Sequence, residues 1–277
     1  MNIVVIDGSV RVGQTLRVMQ LLLTEVKLAA PDAVVETVAL RSTRLATCRG
    51  CTTCFHKGED RCPNLAAGDD FPGFVARMDA ADAVIFAVPN YALQVTWLLK
   101  NFLDRGAYIF HRPRFHRKAM LSVVVQAIFG GEAIVKYLDR LAWFWGFRPV
   151  RGVVVNAPWG AFAPRAPWPA QAEAKIRRTL QRAARRLVNA ARRELAGPVQ
   201  PDLVSLLFFI LRRSGYRNHA AVFDKPGHEF YHDFDYFRRR GWTTSAYYYP
   251  VRLAPHRAAI AWLADRLLAL MPPPPVS

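Results

Sequence analysis

The chain has 277 residues, 52% hydrophobic and 21% charged, and its 38 Lys and Arg against 21 Asp and Glu give a formal net charge of +17. That length buries a full core, and the composition is that of a soluble globular chain rather than a disordered one. The longest late apolar run, Leu203 to Leu211, falls short of the about 20 residues that a membrane-spanning helix needs.

The first element is a strand, Ile3-Val4-Val5-Ile6 with Asp7, which breaks at Gly8-Ser9 and gives way to a helix pattern from about Thr15. No basic stretch, apolar segment and small-residue cleavage site precede it, so a cytoplasmic location is expected. A strand, a small polar loop and a helix start make an anion site, because unpaired N–H groups and the positive end of the helix dipole face the loop. Ser9, Arg11, Gln14 and Thr15 add hydroxyl, guanidinium and amide donors. Gly8-x4-Gly13-Gln14-Thr15 lacks the Lys of the triphosphate loop, and the dinucleotide pattern G-x-G-x-x-G is absent as well. What remains suits one terminal phosphate, as in flavin mononucleotide (FMN).

A helix runs from Leu16 to Leu28, and Val34 to Leu40 alternates as a second strand. Residues 41–68 have no clear period and form a long loop. Asp69 or Asp70 caps a helix reaching Ala81, and Ala83 to Val88 is a third strand that stops at Pro89-Asn90-Tyr91. A helix from about Gln94 ends near Asp104-Arg105-Gly106, where the two charges read as a helix-end ion pair. A fourth strand, Lys118 to Ala127, leads through Phe129-Gly130-Gly131 into a helix, Glu132 to Trp145, and Val150 to Val155 is the fifth strand. Apolar strands alternating with helices imply a parallel sheet covered on both faces, in the flavodoxin-like doubly wound order 2-1-3-4-5.

Ligands of such sheets bind outside the carboxyl ends of the strands. Three loops are expected to meet there: Gly8 to Thr15 for the phosphate, Pro89 to Leu93 offering Tyr91 to a flat ring, and Ala127 to Glu132, whose Gly130 and Gly131 let backbone approach it.

Beyond the sheet, Trp168 to Leu195 reads as a basic helix with a solvated charged face, and Gly197-Pro198 with Pro201 marks a hinge. Leu203 to Leu211, followed by Arg212-Arg213, reads as a helix in a dimer interface or on a membrane surface. An aromatic stretch from Phe230 to Tyr249, a helix from Ala254 to Leu270 and an extended tail at Pro272 to Pro275 complete the chain. Two domains are expected: 1–196, flavodoxin-like and FMN-binding with the cysteine motif on its 41–68 loop, and 197–277, a helical, aromatic-rich extension. The basic excess is mostly Arg on one Ala-rich helix, and no nucleic-acid partner is expected from it.

All four cysteines fall in one short segment, Cys48-x2-Cys51-x2-Cys54-x7-Cys62-Pro63. Clustering of this kind favours metal or redox chemistry over a disulfide framework. The successive x2 gaps and the Cys-Pro ending match ferredoxin-type runs apart from the longer last gap, which points to a [4Fe–4S] cluster with Arg44, Arg49 and Arg61 around it. Zinc, with His56 nearby, and a metal-free thiol pair remain alternatives.

Gly8-Ser9-x-Arg11-x-Gly13-x-Thr15, the cysteine loop, Asp69-Asp70, Ala81-Asp82, Pro89-x-Tyr91 and Asp104-Arg105, in that order, resemble the NADPH-dependent FMN reductase superfamily and, within it, the iron–sulfur flavoproteins. The resemblance covers about residues 1–155. It implies a flavodoxin-like fold, non-covalent FMN, electrons from NAD(P)H or a redox carrier protein, and a homodimer or homotetramer. Carried over, Cys48, Cys51, Cys54 and Cys62 would hold the cluster, Ser9, Arg11, Gln14 and Thr15 would bind phosphate, and Pro89, Asn90, Tyr91 and Leu93 would line the isoalloxazine. Asn90 departs from the small or aliphatic residues common at its position.

The expectation is thus an FMN-dependent NAD(P)H oxidoreductase with a [4Fe–4S] cluster and no acid–base pair, since the flavin carries the chemistry. The alternatives are a clusterless quinone or FMN reductase, a non-enzymatic electron carrier, and a basic protein that binds nucleic acid or membrane on the same scaffold.

Overall fold

The β-branched runs form one all-parallel sheet of five strands, β1 (Asn2–Asp7), β2 (Val34–Ala39), β3 (Ala83–Pro89), β4 (Ala119–Gln126) and β5 (Arg148–Asn156), in the order β2-β1-β3-β4-β5. The structure, a computed structural model, describes residues 1–158 and 167–270, so the extended tail expected at Pro272 to Pro275 lies outside the described residues. The sheet is flavodoxin-like and doubly wound. Its central strands are buried along almost their whole length, which is why they read as unbroken apolar runs.

The chain divides into two compact units, Met1–Arg49 with Ala66–Ala196, and Gly50–Leu65 with the chain from Gly197 onward. In the first, α1 (Gln14–Ala29) and α6 (Ala170–Ala196) cover one face of the sheet, and α3 (Phe71–Ala80), α4 (Trp97–Arg105) and α5 (Gly131–Trp145) belong to the same unit. α6 carries the expected charge run, but that run is only its outer half. Ile176, Leu180, Ala183, Ala184, Leu187, Val188 and Ala191 form a buried stripe in the same core as Val18, Leu22 and Val26 of α1. Elsewhere in this unit the packing is aromatic: the Phe102 ring lies 5.5 Å from Phe71, 6.1 Å from Phe74, 6.2 Å from Phe86 and 6.4 Å from Trp145.

Three local expectations are corrected. α4 begins at Trp97 rather than near Gln94, because the Thr96 hydroxyl accepts the Leu99 N–H at 3.2 Å and fixes the N-cap there. Of the two candidate caps of α3, Asp69 takes the Phe71 N–H at 2.9 Å, while Asp70 turns to the Arg44 N–H at 2.8 Å. Asp104 and Arg105 do not pair with each other. Asp104 pairs with Lys100 one turn back, and Arg105 meets Asp69 at 2.6 Å with both side chains buried.

The second unit contains α2 (Thr53–His56), α7 (Leu203–Asn218), α8 (Ala220–Phe223), α9 (Tyr231–Arg239) and α10 (Pro255–Leu268). Asp202 caps α7 by accepting the Ser205 N–H at 2.9 Å. The helix continues past the apolar run to Asn218 because Arg213 and Ser214 both bond to Asp265 of α10. Leu206, Phe209, Ile210, Phe237, Trp242, Tyr247 and Ala261 form the core of this unit.

Candidate cofactor site

The carboxyl end of β1 runs through a short polar loop into the start of α1. α1 starts at Gln14 directly after Gly13, and its first turn carries no acidic residue. The free N–H groups and the positive end of the helix are therefore uncompensated. Gly8 donates its N–H to the Ala87 carbonyl of β3 at 2.9 Å, and its own carbonyl accepts the Thr96 hydroxyl at 2.6 Å. A Cβ at Gly8 would stand 2.9 Å from the Leu99 Cβ, so only glycine lets α4 approach the loop this closely. Asp7, buried at the strand end, accepts the Ser9 N–H at 2.9 Å and pairs with Arg41. That bond orients Ser9, whose side chain is 3% exposed and whose Oγ is buried with no hydrogen-bond partner. A buried hydroxyl left unsatisfied costs stability, and an incoming phosphate oxygen removes that cost.

Ser9, Arg11, Gly13, Gln14 and Thr15 line a cleft of about 550 Å³ together with Pro89, Asn90 and Tyr91 from the end of β3. These expected residues are brought together. Leu93, Gly130 and Gly131 are not in the lining. Gly130, at φ +96°, leaves room for Leu93, since a Cβ there would lie 2.6 Å from the Leu93 Cδ2. Gly131 donates its N–H to the Gln126 Oε1 at 2.6 Å.

Sequence reading missed part of the wall. Ala127 and Ile128 of the expected third loop line the cleft, but so do Val125 and Gln126 from the end of β4, and Ala157 with Pro158 after β5. The rule applied to the first, third and fourth strands would have found the fifth, since Ala157 directly follows its last residue. Gln126 stitches the loops together. Its Oε1 takes the Asn90 Nδ2 at 3.3 Å, and its Nε2 donates to the Asn156 Oδ1 at 2.8 Å. Asn90 also donates to the Phe129 carbonyl at 2.8 Å. The turn above is tight. Tyr91 and Gln94 exchange both backbone bonds at 2.9 Å, and the central residues Ala92 and Leu93 have φ of +47° and +64°, a left-handed conformation that costs a non-glycine residue about 1–2 kcal/mol.

The sequence profile of the NADPH-dependent FMN reductase family matches residues 1–161. The chain belongs to that family. Its relatives include a protein of Archaeoglobus fulgidus named iron-sulfur flavoprotein, 38% identical over 117 residues, which are 42% of this chain and 51% of the relative. A second A. fulgidus protein of the same name is 28% identical over 134 residues, 48% of this chain and 63% of the relative. The chain thus spans about half to under two thirds of the length of these relatives. Solved structures carry the same fold at low identity. RosB, crystallised with 8-demethyl-8-formylriboflavin-5′-phosphate, aligns with a TM-score of 0.55 at 11% identity, covering 74% of this chain and 84% of its own. An FMN-dependent NADH-azoreductase of Bacillus anthracis aligns at 0.52 and 14% identity, covering 68% of this chain and all of the azoreductase. The family's cofactor suits the cradle: FMN has one phosphate, and the cradle has one helix start, one unsatisfied buried hydroxyl and no acidic side chain in its first turn.

The cysteine segment is held at one end. The Cys48 N–H donates to the Asn101 Oδ1 at 2.8 Å, and the Asn101 Nδ2 reaches the Ala46 carbonyl at 3.2 Å. Arg105 bonds the same carbonyl at 3.0 Å while paired with Asp69, which also accepts the Ala46 N–H at 2.7 Å. Further on, short helical turns replace the expected structureless loop, with Thr52 in the left-handed region at φ +56°. None of the four cysteines is in a disulfide, and Cys51 is exposed, its Sγ 3.3 Å from the Thr53 hydroxyl. Among the described residues no group of three or more His, Cys, Asp or Glu side chains gathers as a metal centre would. Thiols are the donors that iron takes. Nor is any helix among the described residues long and apolar enough to cross a membrane.

Proposed function

We propose that the protein is an FMN-dependent oxidoreductase that takes electrons from NAD(P)H. The Ser9 hydroxyl carries this reading, because it is buried without a partner beside an uncompensated helix start in a cleft of flavin size. Ser9, Arg11, Gln14, Thr15 and the backbone at Gly13 hold the phosphate. Pro89, Asn90 and Tyr91 position the ring, while Leu93, Gly130 and Gly131, outside the cleft lining, shape the loops beside it. When bound, FMN accepts hydride and releases electrons to an acceptor. The protein fixes the ring, and the Asn90–Gln126–Asn156 amides keep the loops that flank it in register. The reading is tested by titrating the purified protein with FMN and following NADH and NADPH oxidation. Stoichiometric binding with turnover is expected, and absence of FMN binding overturns it.

The spacing of Cys48, Cys51, Cys54 and Cys62 and the names of the relatives support a [4Fe–4S] cluster as an additional centre. Cys48, Cys51, Cys54 and Cys62 would hold it, and it would exchange electrons with the flavin. Anaerobic purification with iron and flavin quantitation decides between a cluster-bearing and a clusterless reductase: about four irons per chain support the former, and flavin without iron supports the latter. A redox carrier protein as electron partner, and assembly as a homodimer or homotetramer, belong to the same proposal.

A further inference from the structure

The C-terminal helices keep their apolar residues on both sides. Leu206, Phe209 and Ile210 of α7 enter the core, while Leu203, Val204, Leu207 and Leu211 lie on the exposed side of the same helix, Val204 with 57% of its surface open. α10 repeats the arrangement. Ala261 is buried, whereas Trp262, Leu263 and Leu267 are each more than half exposed. The two helices pack together and are clamped by Asp265, which bonds to Arg213 and Ser214 and accepts from the Arg217 Nη2 at 3.3 Å. Exposed apolar surface on this scale marks a contact site rather than chance.

Charge identifies the occupant. Arg213 is buried in the clamp and Arg212 bonds Tyr248, which leaves Arg217 of α7 and Arg257 and Arg266 of α10 toward the outside, against Asp265 as the one carboxylate of the two helices, already committed to the clamp. The cap residue Asp202 is likewise spent on the Ser205 N–H and hydroxyl. No uncommitted acid on these helices repels an anionic surface, and the whole chain carries +17. Trp262 has the Arg266 guanidinium 4.9 Å above its ring. An amphipathic indole beside a cation suits the boundary between headgroups and acyl chains. At 16 residues α7 is too short to cross a bilayer and long enough to lie in its interface.

We propose that the exposed faces of α7 and α10 dock the protein on an anionic lipid surface, their leucines and Trp262 entering the interface and Arg217, Arg257 and Arg266 meeting the headgroups. The proposal is independent of the flavin reading.

The test is co-sedimentation of the full chain with vesicles of phosphatidylcholine alone and of phosphatidylcholine mixed with phosphatidylglycerol, alongside light scattering of the protein without lipid. Binding to the mixed vesicles, at least about tenfold weaker to the neutral ones and weakened by salt, is expected. Val204→Ser with Leu263→Ser should reduce partitioning by about tenfold or more. Arg217→Gln with Arg266→Gln should remove most of the preference for anionic lipid while leaving the apolar face in place. Thermal melts of both variants show whether they fold. Equal binding to both vesicle types, or none to either by a folded protein, overturns the proposal. An oligomer that Val204→Ser with Leu263→Ser dissociates, in a protein that ignores vesicles, assigns the face to a second copy of the chain instead.

Discussion

In the cleft the ligand-facing groups are set before any ligand arrives: Ser9 is oriented by Asp7, Gly8 is held by Ala87 and Thr96, and Gln126 binds three loops into one wall. Along the cysteine segment Cys48 is fixed through Asn101, while Cys51 is exposed, and among the described residues no three metal-ligand side chains gather. The difference is one of preorganisation. A phosphate can be met by backbone and hydroxyls that the fold fixes for its own reasons, whereas a polynuclear metal site gains much of its order from the metal itself. The cleft should therefore bind its ligand with little rearrangement, and the cysteine segment should change shape if iron is supplied.

The most severe way to break this contrast is at Asp69 and Arg105, the buried pair that anchors the entrance to the cysteine segment. Arg105→Ala leaves a buried carboxylate without its partner and should cost about 3–5 kcal/mol, read by denaturant unfolding. Ser9→Ala separates binding from stability. FMN affinity, measured by fluorescence titration, should fall by about tenfold or more through loss of a charge-assisted bond, while the stability of the flavin-free protein stays level or rises by about 1 kcal/mol as an unsatisfied buried hydroxyl disappears. Equal losses in both would show that Ser9 serves the fold and not a ligand.

Two smaller changes sharpen the contrast. Cys51→Ala should shift the unfolding free energy of the metal-free protein by less than about 0.5 kcal/mol, as expected of an exposed side chain, and leave FMN affinity unchanged, while reducing the iron retained on anaerobic reconstitution. Ala92→Gly removes one left-handed non-glycine residue from the turn over the cleft and should raise stability by up to about 1 kcal/mol, visible as a small rise in Tm.

The sheet was legible because central parallel strands must be apolar on both sides, and β1, β3 and β4 state this without a break. The cradle was legible because a helix start after a strand is a local feature. What escaped was long-range. Gln126 gives no local sign of holding Asn90 and Asn156, and the position of Asp104 beside Arg105 suggested a pair that Lys100, one turn back, and the distant Asp69 dissolve. The buried stripe of α6 is spelled mostly in alanine and leucine among arginines, so composition pointed to its solvated half. In the cysteine segment, spacing names the donors of a cluster but does not fix where their side chains stand.

One bond at the cradle bears on how the protein is made. The Gln14 Oε1 accepts the Trp168 indole N–H at 3.0 Å from 154 positions away in the chain, and the Arg17 guanidinium lies 4.0 Å above the same ring and bonds Glu173 at 3.2 Å. The segment matched by the family profile ends at residue 161, before this tryptophan. On the ribosome, strand, loop and first helix emerge early, yet the brace on that helix arrives only after the whole sheet has been synthesised. Contacts of such separation form late in folding. A nascent chain halted ahead of Trp168 should hold the flavin loosely, and retention of the cofactor should set in as the last helix of this unit docks.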